Sequence, residues 1–135
     1  MTAPKPNSVD RNKDNFFVTS QMIATAVDRT AWIATRHCIL RNVREAHSVV
    51  GGASAAVRPR KVTDTSAPGA AASATVLELT TADIDLTATI DTVVSPTLSA
   101  TSSTRRFKPG DRLCENFGGT LTGLVGAITY EFEPL

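Results

Sequence analysis

The chain has 135 residues, with 14 Lys/Arg against 13 Asp/Glu and a net charge of +1. That is long enough for one domain with its own core and lacks the basic excess of a protein that coats nucleic acid. A hydrophobic fraction of 41% excludes disorder throughout, and no apolar run approaches the roughly eighteen residues of a membrane span.

Residues 1–15, "MTAPKPNSVDRNKDN", are polar and carry Pro4 and Pro6. They have no apolar face to bury, so an extended arm is expected ahead of a domain over 16–135. They also lack the apolar segment of a secretory signal, which points to synthesis in a cytoplasm. "FFVTSQMIA" (16–24) and "VDRTAWIAT" (27–35) are rich in strand formers. "CILRNVREAHSVV" (38–50) is a long β-branched run in which a straight strand would put Ile39, Arg41, Val43, Glu45, His47 and Val49 on one face. Charges then fall on both faces, which predicts a bulge or a neighbour covering the second face.

Gly51 and Gly52 break that run, and "AAVRPRKVTD" resumes it with Pro59 inside, the mark of an edge or irregular strand. "TVLEL" (75–79) is ambiguous between a helical turn and a strand. "DIDLTATI" (83–90) alternates, setting Ile84, Leu86, Ala88 and Ile90 against Asp83, Asp85, Thr87 and Thr89. A short strand is expected around Pro96. "KPGD" (108–111) has the form of a type II turn, with Pro109 and Gly110 at its centre. "DRLCENF" puts Leu113, Glu115 and Phe117 on one face. After "GGTLTG", "LVGAITYEFE" sets Leu124, Gly126, Ile128, Tyr130 and Phe132 against Val125, Ala127, Thr129, Glu131 and Glu133. About eight strands at such spacing predict an all-β, jelly-roll-like antiparallel sandwich.

Three segments carry a resemblance: "DRTAWIATRHCILRNVREAHSVVGGASAAVRPRK", "ADIDLTATIDTVVSPTL" and "FKPGDRLCENFGGTLTGLVGAITYEFEP". Their order resembles that of small tailed-bacteriophage virion proteins with a jelly-roll domain. Val43, Arg44, Glu45, His47, Ser48, Val49 and Gly51 match a ridge of that family. Gly110, Asp111, Arg112, Leu113, Phe117, Gly119, Thr120, Thr122, Leu124 and Gly126 match its C-terminal hairpin. Cys114 and the doubled Gly118-Gly119 depart from it. The resemblance implies a capsid decoration (cement) protein on the outer surface of the head, trimeric, with the major capsid protein as partner. The alternatives are a head fibre, collar or tail adaptor, or a cellular ligand-binding β-sandwich.

No residue set points to chemistry. His37 and Cys38 are adjacent in an extended run and face opposite ways, so with His47 and Cys114 they make a poor zinc site. Asp83, Asp85 and Asp91 lack the glycine and final glutamate of a calcium loop. Ser48 beside His47 points away from it, and "VVGGASAA" has no P-loop lysine. No catalytic residue, metal or cofactor is expected, nor a nucleic-acid or membrane partner. The two cysteines, without a CxxC, are expected reduced and buried.

The charges are uneven: residues 1–61 hold ten Lys/Arg and four Asp/Glu, whereas 62–104 hold five acids and no Lys/Arg. The drift fits either a solvated face or a bipolar surface that meets a partner. Together with the resemblance it gives the candidate capsid or subunit contacts: Lys5, Arg11 and Lys13 in the arm, Arg41, Arg44, Glu45 and His47 on the ridge, and Arg58, Arg60 and Lys61 beyond it.

Overall fold

The computed structural model describes residues 14–135. Most of the expected arm, including Lys5, Arg11 and Lys13, lies outside the described residues. Those described form β1 (Phe16–Ile23), β2 (Arg29–Ile33), β3 (Cys38–Val49), β4 (Ala56–Val62), β5 (Val76–Glu78), β6 (Ile84–Asp85), one helical turn α1 (Ser102–Arg105), β7 (Arg106–Phe107), β8 (Arg112–Gly118) and β9 (Val125–Pro134).

Two antiparallel sheets result. The first has the order β1-β9-β3-β7; the second has β2-β8-β4-β5, with β6 also on β4. β1 pairs with β9, β2 with β8, β3 with β7, and β4 with β5. This is one long hairpin wound over itself, the jelly-roll arrangement of a β-sandwich.

Alternation decides which face each strand buries. In β9 and the residue before it, Leu124, Ile128, Tyr130 and Phe132 are fully buried, whereas Val125 is half exposed. β3 keeps its apolar side inward only through a bulge: the register against β9 shifts between Leu40 and Asn42. Arg41 is the extra residue, so the inward set passes from Cys38 and Leu40 to Val43, Glu45 and His47. One inserted residue thus resolves the failed alternation of the sequence.

The ends of the sandwich are closed differently. At one end Phe16, Trp32, Phe107 and Phe132, from four strands and both sheets, form a ring cluster with centroids 4.8–6.2 Å apart, spacings at which aromatic pairs attract. The neighbouring 108–111 turn is closed by Asp111 N donating to Lys108 O at 3.0 Å, with Gly110 at φ +96°. At the other end Gly119, at φ +71°, packs so closely on 54–55 that a Cβ would lie 2.2 Å from Ser54 O. Only glycine fits there.

Three sequence expectations need correction. β4 is not an edge strand, because β8 flanks one side and β5 and β6 the other. The Pro59 carbonyl accepts from Leu79 N at 3.0 Å. The missing N–H faces that same side, at the gap between the two short partners. The alternating run 83–90 is a strand only over Ile84–Asp85. Asp85 Oδ1 there accepts from Thr87 N at 2.8 Å and Thr87 Oγ1 at 2.6 Å, which turns the chain. Finally, the segment around Pro96 makes only isolated bridges, Glu45 to Val94 and Thr80 to Leu98. The ambiguous 75–79 segment resolves as β5.

Candidate functional site

Polar side chains gather in three groups, two inside the sandwich and one along β4, and again on the outer face of the first sheet. The first internal group centres on Glu115, in β8 and fully buried. Its Oε1 accepts from Ser20 Oγ and from Arg29 Nε, both at 2.8 Å, and its Oε2 accepts from Tyr130 Oη at 2.6 Å. Arg29 also donates to Ser20 Oγ at 2.7 Å and lies over the Phe117 ring. Burial, with the nearby Glu115 charge, pushes the Tyr130 phenol well above its ordinary value. Every donor here is fixed by another strand, so the carboxylate joins the two sheets.

The second group is Glu45 and His47, which the bulge turns inward. Both were expected at a subunit contact, but they are 1% and 2% exposed and present no surface. His47 Nδ1 lies 2.8 Å from Glu45 Oε2, and Nε2 lies 2.5 Å from the carbonyl of Ala88. A carbonyl only accepts, so Nε2 carries a proton. Burial raises the Glu45 pKa and the bond to His47 opposes that. With Asp91 N donating to His47 O and mutual bonds between Glu45 and Val94, all at 2.8 Å, the pair fastens the 86–94 loop along the free edge of β3.

The third group lies on β4. Arg58 donates to Asp83 Oδ1 at 3.1 Å and Thr80 O at 2.9 Å. Arg60 donates to Glu78 Oε2 and Pro68 O, both at 3.1 Å, and also to Ala70 O. Arg60 and Lys61 are 6% and 5% exposed. The basic run is therefore no outward patch: a central strand turns these cations onto its own loops. Lys61 Nζ donates to Ser103 O at 2.8 Å and Arg106 O at 2.7 Å. Burial lowers its pKa, with Asp111 opposing and Lys108 reinforcing the shift. It lines a cavity of about 520 Å³ with His37, Phe107 and Lys108.

Of the predicted contacts, Arg41 and Arg44 do reach the surface, on the outer face of the first sheet. Arg41 is 2.5 Å from Glu133 and Arg44 is 3.5 Å from Glu131. Further along that face Ile23, Val125 and Val49 stand in one register row across β1, β9 and β3, at 50%, 49% and 45% exposure. Beside the row, Arg44, Ala46, Val93, Ala127 and Thr129 line a groove of about 300 Å³. The sequence reading missed this row, and only the register assembles it.

Cys38 and Cys114 are free and buried, in separate apolar clusters. Among the described residues no three of His, Cys, Asp and Glu come together as metal ligands, and no helix is long and apolar enough to cross a membrane. Fold and site together define a jelly-roll β-sandwich whose internal polar groups brace the structure and whose first sheet carries an open apolar row. No protein-family model, curated protein or solved structure matches the chain.

Proposed function

We propose that the protein is a structural virion component, a capsid decoration or cement protein that binds the outside of a phage head and stabilises the major capsid lattice. The observation that carries this reading is the Ile23–Val125–Val49 row. Three β-branched side chains side by side on a sheet face make an adhesive surface, and a head-surface protein needs one to meet neighbouring copies. We assign the row to the self-contact of a homotrimer. Three linked subunits multiply individually weak attachments to the shell through effective concentration, and binding that favours the intact lattice opposes its disassembly. Glu115 supports the same reading, because both of its oxygens are occupied by donors from other strands. The family resemblance of the ridge and hairpin segments gives the virion setting.

The test uses particles. Heads purified from a culture producing the encoding phage should contain this chain in fixed ratio to the major capsid protein. A tagged copy should sediment with heads depleted of it. Purified particles free of the chain would refute the virion role.

A further inference from the structure

Lys61 is a cation enclosed at the end of the sandwich that holds the aromatic cluster. Two of its three N–H donors are taken by Ser103 O and Arg106 O, and its Nζ stands 5.8 Å from the Phe107 ring centroid. None of the ion pairs among the described residues includes it. The carboxylate in reach of its field, Asp111, is committed elsewhere: its Oδ2 accepts from Lys108 N at 3.0 Å and its Oδ1 from Lys108 Nζ at 3.1 Å. A buried ammonium without an anion is a costly arrangement. It sits on the wall of an open cavity of about 520 Å³, between an apolar floor at Phe107 and Leu135 and a rim bearing His37, Arg106 and the Lys108–Asp111 ion pair.

We propose that this cavity is a binding site for a carboxylate carried on a short apolar body. One carboxylate oxygen takes the remaining N–H of Lys61, and the other faces the Arg106 guanidinium at the rim. The apolar body covers Phe107. A single negative charge suits the site, because one buried donor and one exposed arginine supply too few bonds for a phosphate dianion. The inference is independent of the virion role: a soluble or particle-bound copy would carry the same cavity.

Two sources share this ligand chemistry, a free short-chain fatty acid and the terminal carboxylate of a peptide ending in an apolar residue. Octanoate and N-acetyl-leucine are the probes for them, titrated into the full-length chain and followed by amide chemical shifts. Saturable shifts at Thr63, Arg106 and Phe107 are expected with one or both acids, and the tighter probe identifies the source. Octanol and octylamine should bind at least roughly tenfold more weakly, since the charge contact is lost or reversed. Arg106→Ala, at an exposed position that leaves the core intact, should weaken binding severalfold, and Lys61→Met should abolish it. If Lys61→Met fails to fold, Arg106→Ala and the octylamine comparison still decide. No saturation at millimolar octanoate and N-acetyl-leucine, equal binding of octylamine, or shifts mapping away from the cavity would overturn the proposal.

Discussion

Tyr130 Oη donates to Glu115 Oε2 at 2.6 Å across the interior of the sandwich, from the middle of one sheet to the middle of the other. Both side chains are fully buried. Tyr130→Phe keeps the ring and removes the hydrogen bond to Oε2, so a buried acceptor loses its partner among the described residues. The expected loss is roughly 1.5–3 kcal/mol. Urea unfolding should show a lower midpoint with an unchanged slope. A midpoint matching that of the parent chain would mean that water or Arg29 takes over the vacated oxygen.

The Glu45–His47 pair makes a separate prediction about local motion. His47→Ala removes the bond to the carbonyl of Ala88, so amides over 87–91 should exchange with solvent faster while β9 amides stay protected. Glu45→Gln should leave that protection nearly intact. A glutamine amide donates to Nδ1, and Nε2 keeps its proton for Ala88. Equal loosening in both variants, read by hydrogen exchange and mass spectrometry, would show that charge rather than the carbonyl bond fastens the loop.

On the outer face, Val125→Asp puts a carboxylate in the centre of the Ile23–Val125–Val49 row. At 49% exposure the position demands little of the core, so the melting temperature of a monomer should hardly move. Association should fall: sedimentation velocity is expected to give a trimer for the parent chain and a monomer for the variant at the same micromolar concentration. A parent chain that sediments as a monomer throughout removes the self-contact assignment.

Alkaline pH offers a fourth check. Burial pushes the Cys38 thiol up to about 11 and raises Cys114 as well. A thiol whose folded pKa exceeds its unfolded value stabilises fully below the unfolded pKa, near 9. That contribution is lost as pH rises through the folded pKa. Stability should therefore decline between about pH 9 and 11, with Cys38 accounting for roughly 2–3 kcal/mol of the fall. Urea midpoints across this range, for the parent chain and Cys38→Ala, isolate the share: the variant should show a shallower decline. Parallel curves would count against Cys38 as its source.

The sequence was legible where local pattern and tertiary role agree. The 124–132 alternation and the turn at Gly110 follow from residue order alone, as does the need in β3 for either a bulge or a covering neighbour, a choice that only the register against β9 decides. Glu115 did not, although its inward phase between Leu113 and Phe117 was visible. A carboxylate in a core is intelligible only beside its donors, and Arg29 and Ser20 are 86 and 95 residues away in sequence. The basic run at 58–61 misled for a related reason. Its acceptors are mostly carbonyls of later loops, which leave no trace in side-chain identity. The 83–90 run kept the period of a strand but lost its partner, since Asp85 turns the chain before a third residue can pair.

The winding of the hairpin also has a consequence for synthesis. In each sheet the strand made last lies inside: β9 separates β1 from β3, and β8 separates β2 from β4. On the ribosome β1 and β2 therefore find no partner in the strands that follow them directly and must wait for ones encoded some eighty residues later or more, whereas β4 pairs with the adjacent β5. The second sheet can be completed once β8 has cleared the exit tunnel and the first only when β9 has, so the sandwich closes on its last strand. Throughout that interval Phe16, Trp32 and the β-branched run of β3 stand open to other nascent chains, and a translational pause before β8 would prolong the exposure.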